Sequence, residues 1–188
     1  MSILKVARMG HPVLRTRARS LEPDEIGTAR IQQLIDDMFE TMHDSRGIGL
    51  AGPQVHESIR LFVAGVDDEE RTMPPVVMIN PEVTPIGSDV EEDWEGCLSI
   101  PDIRGRVSRA TDIRVRALDR YGTPISMTVD GFSARVIQHE TDHLDGLLYL
   151  DRLVSEDAAA RLLPGECPER QFHAVGLDLK WRNACIRP

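Results

Sequence analysis

The first long pattern of apolar positions predicts a helix over residues 26–43. Apolar side chains recur there at three- and four-residue steps, which places them on one face of an α-helix. The positions on this face are Ile31, Leu34, Ile35, Met38, Phe39 and Met42. We therefore expect an amphipathic helix in the N-terminal part of the chain, with this face packed against a core.

Shorter apolar runs downstream predict β-strands. Three of them lie at residues 59–63, 76–79 and 83–86. Two more, at residues 113–117 and 125–129, alternate apolar and polar positions on either side of a turn at residues 119–122, which is typical of a β-hairpin. Between these groups, Pro101 and Gly105 are predicted to bracket a turn.

A second helix is predicted over residues 132–145, because it would end at Gly146, a natural left-handed cap. A short helix is predicted to start at Ser155 and to end near residues 164–165. Strands that cluster between two helices favour an α+β fold, with small mixed or antiparallel sheets around the second helix. The sequence contains no internal repeat or dividing linker, so we expect one domain over residues 1–188.

Composition narrows the possible functions. The 188-residue chain has a net charge of -9, which disfavours nonspecific binding to nucleic acid. Its three cysteines, Cys97, Cys167 and Cys185, form no CxxC pair, which is typical of a reducing compartment. No apolar stretch approaches the roughly 18 residues of a membrane span, and folded-domain sequence from His11 onwards disfavours an organellar presequence. We expect a cytoplasmic protein that binds neither a membrane nor a specific nucleic acid.

Candidate chemistry begins with the HExxH motif that starts at His139 and ends at His143. Residues four apart on a helix point in nearly the same direction, so both imidazoles can bind one metal ion. Glu140 stands beside them and can act on a water molecule without being a ligand. Two exposed histidines on an acidic helix are the alternative interpretation, but the helical placement and the cap at Gly146 favour a metal site.

A catalytic centre of this kind usually has three protein ligands, and the spacing of the two histidines does not identify the third. A metzincin protease would have a histidine where this chain has Tyr149. A thermolysin-like protease would use a downstream glutamate, and the candidates are Glu156, Glu166 and Glu169. The remaining soft donor is Cys97, although a lone cysteine is more often a small core residue. An HExxH-type metallopeptidase therefore stays as an alternative.

Three segments together resemble the signature motifs of peptide deformylases. They are residues 47–54 (GIGLAGPQ), 95–99 (EGCLS) and 138–143 (QHETDH), in that family's order and at its usual separations. The resemblance covers about residues 3–152. It implies a hydrolase that removes the N-formyl group from the initiator methionine of newly made polypeptides.

The resemblance implies a metal centre. Its ligands would be Cys97, His139 and His143, with Glu140 as the general base. The cofactor would be one divalent ion. Fe(II) is expected in the cell, although a thiolate with two imidazoles also suits Zn(II), Ni(II) or Co(II).

Other roles are implied in the same way. The Gln54 side-chain amide and the Leu98 backbone N–H would hold the oxyanion. The substrate-binding residues would be Ile48, Gly49 and Arg104. Glu95 and Arg109 would form an outer pair that fixes the strand bearing the cysteine.

The implied partners are N-formyl-methionyl peptides of nascent chains, with a transient ribosome contact. Gly52 departs from the alanine more usual in this family, and residues 153–188 form an atypical C-terminal tail beyond a catalytic core over about residues 1–152. A non-catalytic relative that only binds peptide is disfavoured, because Glu140, Cys97 and Gln54 are all intact.

Overall fold

The computed structural model describes residues 2–67, 72–155 and 158–161. In this part of the chain the α-helices are α1 (Pro23–Ile26), α2 (Ala29–Asp44) and α3 (Gly131–Leu144), and short 3-10 helices lie at Pro12–Arg15, Gly52–Val55 and Tyr149–Arg152. The strands are β1 (Gly49–Ala51), β2 (Leu61–Asp67), β3 (Thr72–Pro85), β4 (Val90–Cys97), β5 (Ile100–Ala110), β6 (Asp112–Leu118), β7 (Pro124–Asp130) and β8 (Ala159–Arg161). This is a mixed α/β architecture with antiparallel sheets, as expected.

Helix α2 corresponds to the first predicted helix and begins three residues later. Thr28 caps it, because its side-chain oxygen accepts a hydrogen bond from the Ile31 N–H. The predicted apolar face is largely buried, with Ile31, Ile35, Met38 and Met42 each at most 1 % exposed. These side chains join a core cluster with residues of β1 and β2, where burial of each contributes about 1.5–3 kcal/mol.

The larger sheet has five strands in the order β1-β2-β3-β6-β7. The two strands predicted at residues 76–79 and 83–86 are one strand, β3, with an irregularity between Ile79 and Glu82 where pairing passes from β2 to β6. The predicted hairpin is confirmed, since β6 and β7 pair from Asp112 with Asp130 to Leu118 with Pro124.

The smaller sheet has the order β4-β5-β8 and corrects two predictions. The turn predicted between Pro101 and Gly105 is wrong, because both residues lie within β5 and Gly105 pairs with Glu95. The helix predicted from Ser155 is wrong at Ala159–Arg161, which forms β8 because the outer edge of β5 offers it a pairing partner. Ser155 and Ala158 are joined by a hydrogen bond from the Ala158 N–H to the Ser155 carbonyl (3.1 Å), and residues 156–157 and 162–165 of that predicted helix lie outside the described residues.

Helix α3 confirms the second predicted helix and contacts strands of both sheets. It ends before Gly146, whose φ of +75° is the left-handed conformation expected of a C-terminal glycine. A Cβ at this position would lie 2.9 Å from the Arg15 carbonyl carbon, so the close approach of the N-terminal segment also requires glycine. Among the helices formed by the described residues, none has the length and apolar character needed to cross a membrane.

Candidate metal centre

Three soft donors converge between α3 and the end of β4. The donor atoms of Cys97, His139 and His143 all lie within 4.8 Å of one another. Cys97 Sγ lies 3.3 Å from His143 Nε2. The two histidines are four residues apart on α3, while Cys97 is the last residue of β4, so the helix and the strand end together form the cluster.

A hydrogen bond to Glu95 orients His139. Its Nδ1 lies 2.8 Å from Glu95 Oε2, which leaves Nε2 for the donor cluster. Glu95 is also bound by the Arg109 guanidinium through two hydrogen bonds of 2.9 Å and by Arg135 Nη1 at 3.0 Å. Burial raises the pKa of Glu95, but the hydrogen bonds from Arg109 and His139 outweigh it and hold this pKa far below its usual value. Glu95 therefore stays ionised, with both oxygens occupied.

The buried ionic network continues through Asp142. This carboxylate accepts hydrogen bonds from Arg109 and, at 3.0 and 2.7 Å, from Arg152. Sequence reasoning identified Glu95 and Arg109 but missed Arg135, Asp142 and Arg152. A usable signal existed for two of them, because Arg135 and Asp142 lie four residues before and three after His139, on the same face of α3.

Protonation shifts within the cluster favour a thiolate. Burial opposes ionisation of the Cys97 thiol, but the His143 and His139 imidazoles outweigh it and hold its pKa well below the usual value. Burial also lowers the pKa of His139, but hydrogen bonds with Cys97 and Glu95 outweigh it and raise that pKa well above the usual value. A thiolate with two imidazoles is a donor set that suits a divalent transition-metal ion.

Glu140 lies beside this cluster and is 4 % exposed. Within the described residues its buried Oε2 has no hydrogen-bond partner. Burial is the main cause that raises the pKa of Glu140, to about 7, partly offset by the imidazoles of His139 and His143. A Cβ at Gly49 would lie 2.2 Å from Glu140 Oε1, so glycine is required where β1 passes the carboxylate.

Gln54 presents its amide nitrogen to the cluster. Its Oε1 accepts the Ala51 N–H at 2.8 Å, while Nε2 donates to Cys97 Sγ and to Ser99 Oγ, both at 3.3 Å. Leu98 and Ser99 form the turn between β4 and β5, directly after Cys97. The structure therefore places both Gln54 and the turn bearing Leu98 next to Cys97.

Gly52 makes the turn before Gln54 tight. A Cβ there would lie 2.8 Å from the Glu57 carbonyl oxygen and 2.9 Å from that of Ile59. Both neighbours are backbone atoms, so an alanine would require the backbone to shift. The departure at Gly52 therefore suits the local packing of this chain.

Two predicted substrate-binding residues, Arg104 and Ile48, contact different parts of the structure. Arg104 crosses the backbone of Gly96, where an added Cβ would lie 1.5 Å from Arg104 Nη1. Burial lowers the pKa of Arg104 below its usual value, and electrostatic interactions with Tyr149 and Cys97 offset this only in part. Ile48 directly precedes Gly49, and its side chain packs against the apolar core of the larger sheet.

The other suggested third ligands do not join the cluster where they are described. Tyr149 stacks against His139 with ring centroids 6.2 Å apart, and its hydroxyl donates to the Ile103 carbonyl at 3.1 Å. Its role here is packing against the imidazole. The glutamates at positions 156, 166 and 169 lie outside the described residues.

Comparison with known proteins gives a consistent result. The polypeptide deformylase family profile matches residues 3–159. Peptide deformylase 2 of Pseudomonas putida is 44% identical over 156 residues, covering 80% of this chain and 88% of that protein. The Met-Ala-Ser-bound crystal structure of the class I type b peptide deformylase from Acinetobacter baumannii superposes with a TM-score of 0.78 at 37% identity, covering 81% of this chain and all of that one. The Thermotoga maritima peptide deformylase structure has a TM-score of 0.75 at 38% identity, covering 82% of this chain and 100% of that one.

Proposed function

The chain belongs to the polypeptide deformylase family, and on that premise we propose that it hydrolyses the N-formyl group from the initiator methionine of newly made polypeptides. The observation that carries the proposal is a Cys-His-His donor set with both histidines buried, beside Glu140, whose Oε2 has no hydrogen-bond partner among the described residues. The alternative of an HExxH metallopeptidase is not favoured, because Cys97 completes the donor set where those proteases use histidine or glutamate.

We propose that Cys97 Sγ and the Nε2 atoms of His139 and His143 hold one divalent cation, so that α3 is the metal-binding helix of the fold and α2 its N-terminal amphipathic helix. The donor atoms lie close together, and the hydrogen bond that His139 Nδ1–H donates to Glu95 supports ligation through the other ring nitrogen. When bound, the cation polarises the formyl carbonyl and acidifies water. Fe(II) is the proposed ion, with Zn(II), Ni(II) and Co(II) as substitutes.

Glu140 moves the proton in the proposed reaction. Its carboxylate takes a proton from water as the oxygen attacks the formyl carbon, and then returns that proton to the departing amine of the methionine. Oε2 has no hydrogen-bond partner in the part of the chain that the structure describes, which leaves it available to water. The raised pKa also supports this role, since a base with a pKa near neutrality can both accept and release a proton. The products are formate and a peptide with a free amino terminus.

Gln54 and Leu98 stabilise the charge that develops on the formyl oxygen. The Gln54 amide donates from one side and the Leu98 backbone N–H from the other, a donor pair of the kind that lowers a barrier by several kcal/mol. The direction of Gln54 Nε2 towards Cys97 supports the assignment, because the reacting carbonyl must lie next to the ligands. The peptide itself contacts Ile48, Gly49 and Arg104.

The biological setting follows from the substrate. Formylated amino termini occur on nascent chains, so we place the protein in the cytoplasm, with a transient contact to the ribosome and without a membrane or a specific nucleic-acid partner. The net charge of -9 supports brief rather than tight contact with ribosomal RNA. Residues 1–188 form one domain in this proposal, with the catalytic core over about residues 1–152.

Turnover assays test the proposed function directly. The protein is purified without oxygen, its metal content is measured, and formate release from formyl-Met-Ala-Ser is compared with internal cleavage of a blocked peptide that serves as a protease substrate. We expect formate release and no internal cleavage. Internal cleavage without formate release would instead support the metallopeptidase.

We expect Gln54→Ala to lower kcat by roughly 100- to 1,000-fold while the metal is retained, because one oxyanion donor is removed and no ligand changes. The matched control is Gln33→Ala, since Gln33 is an exposed residue of α2 that donates to Asp37. Steady-state kinetics with metal analysis check the result. Loss of the metal in Gln54→Ala would show that this amide supports the cation rather than the oxyanion.

Activity of the Fe(II) form is expected to fall in air, because oxidation of the iron or of the Cys97 thiolate destroys the ligand set. Enzyme reloaded with Ni(II) or Co(II) should stay active longer. Half-lives measured with and without oxygen for each metal form check the result. Equal half-lives for the Fe(II) form under both conditions would contradict the prediction.

A further inference from the structure

The N-terminal segment of residues 7–9 joins the two elements that carry the proposed oxyanion donors. The three hydrogen bonds run from the Ala7 N–H to the Gln54 carbonyl (2.7 Å), from Arg8 Nη1 to the Leu98 carbonyl (2.6 Å) and from the Met9 N–H to the Ser99 carbonyl (2.9 Å). Gln54 follows β1 of the larger sheet, whereas Leu98 follows β4 of the smaller sheet. The segment therefore bridges the two sheets where the donors meet.

The direct link between these donor elements runs through the Gln54 amide itself. Gln54 Nε2 lies 3.3 Å from both Cys97 Sγ and Ser99 Oγ. In the proposed reaction the same amide must serve the oxyanion, so this link is weakened when precise spacing matters most. The distance between Gln54 and the Leu98–Ser99 turn must therefore be held by contacts that do not involve the reacting groups. Residues 7–9 make such contacts.

Arg8 acts on the peptide unit next to the reacting one. The Leu98 carbonyl that accepts its guanidinium belongs to the peptide whose N–H is that of Ser99, and this N–H donates to Cys97 Sγ at 3.4 Å. A charged donor on the carbonyl strengthens its hydrogen bond and polarises the N–H at the other end of the same peptide. The same contact restrains rotation of Leu98, and with it the direction of the Leu98 N–H.

We propose that Arg8 is a positioning residue for the deformylation reaction. By holding the Leu98 carbonyl it sets the direction of the Leu98 N–H towards the oxyanion and strengthens the Ser99 N–H hydrogen bond to the cysteine sulfur. The inference rests on the proposed function, because it assumes that Leu98 is an oxyanion donor. The Arg8 side chain is exposed, so it acts through its hydrogen bond to the Leu98 carbonyl and not through core packing.

The test compares Arg8→Gln and Arg8→Lys with Arg17→Gln. Arg17 is a matched control because it is an exposed arginine of the same N-terminal part, paired only loosely with Asp145 at 3.6 Å. For Arg8→Gln we expect kcat on formyl-Met-Ala-Ser to fall about 10-fold, less than the 100-fold that a 1 Å misplacement can cost. KM, metal content and thermal unfolding should stay at wild-type values, and Arg8→Lys should recover part of the rate.

A spectroscopic readout separates positioning from a general structural role. In the Co(II)-loaded protein the sulfur-to-metal absorption band should shift in Arg8→Gln, because the hydrogen bond to the Cys97 sulfur weakens, and should not shift in Arg17→Gln. Wild-type protein that releases no formate contradicts the proposed function itself. Active wild type with equal kcat in Arg8→Gln and Arg17→Gln overturns only this inference, as does a kcat loss that comes with loss of metal or of thermal stability.

Discussion

Glu140→Gln is expected to lower kcat by about 100- to 10,000-fold while the protein keeps one divalent cation, the range typical of removing a general base. Glutamine has nearly the same size and shape, so it fits the narrow space where Gly49 passes the carboxylate. What it lacks is the ability to accept the proton from water. Kinetics on formyl-Met-Ala-Ser and metal analysis of the same preparation check both parts of the result.

The matched control is Glu92→Gln, the same chemical change at a half-exposed residue of β4 that pairs with Arg106. It should leave kcat and the metal unchanged. Glu140→Gln that loses its metal, yet turns over normally once metal is resupplied, would show that Glu140 supports the cation and is not the base.

The pH profile of the wild type gives an independent view of the same group. Burial raises the pKa of Glu140 to about 7 in the metal-free protein, and a cation bound nearby lowers it again because positive charge favours the carboxylate. Activity requires the ionised form, so kcat/KM should fall as the pH drops through a value at or below 7. In Glu140→Gln this acidic limb should disappear from the residual activity.

Cys97→Ser is expected to weaken metal binding by more than the 10- to 100-fold that typically follows loss of an outer partner of a ligand. The hydroxyl of serine is a far poorer donor than a thiolate to a transition metal. Activity should therefore fall with the metal content, and it should recover in part at high metal concentration. Titration with Co(II), followed by its absorption and by formate release, measures both effects.

The control for this change is Cys167→Ser, which makes the same substitution at a cysteine that the sequence does not place in a ligand motif. It should bind metal as the wild type does. Wild-type affinity in Cys97→Ser would remove Cys97 from the ligand set and reopen the search for the third donor. Metal content separates this variant, as a ligand change, from Gln54→Ala and Glu140→Gln, which keep the metal. The acidic limb of the pH profile then separates the base from the oxyanion donor, because it should disappear only in Glu140→Gln.

Local sequence patterns were sufficient to predict the helices and strands that bury one face of the element. Helix α2 and the β6–β7 hairpin were predicted because their apolar residues recur at helical or alternating spacing. The HExxH spacing placed both histidines on one side of α3, since four residues complete about one turn. In each case the information lies within one segment of sequence.

Strands β4, β5 and β8 are not marked by a local pattern of apolar residues. Strand β4 begins with the exposed polar run that follows Val90, so it has no apolar alternation to mark it. Its pairing with β5 and the pairing of β8 with β5 stabilise these segments instead. Pro101 and Gly105 suggested a turn, but the turn lies at Leu98 and Ser99, where the chain presents Cys97 to the helix.

The sequence by itself determined which chemical groups this protein has: two histidines in register, a glutamate between them and a cysteine in a motif typical of one family. Only the tertiary structure decided how these groups are held. The pairs Arg109 with Glu95, Glu140 with Gly49, and Arg8 with Leu98 join residues that lie 14, 91 and 90 positions apart in the chain. No local periodicity records such contacts, because their free energy arises only when separate sheets and a helix pack together.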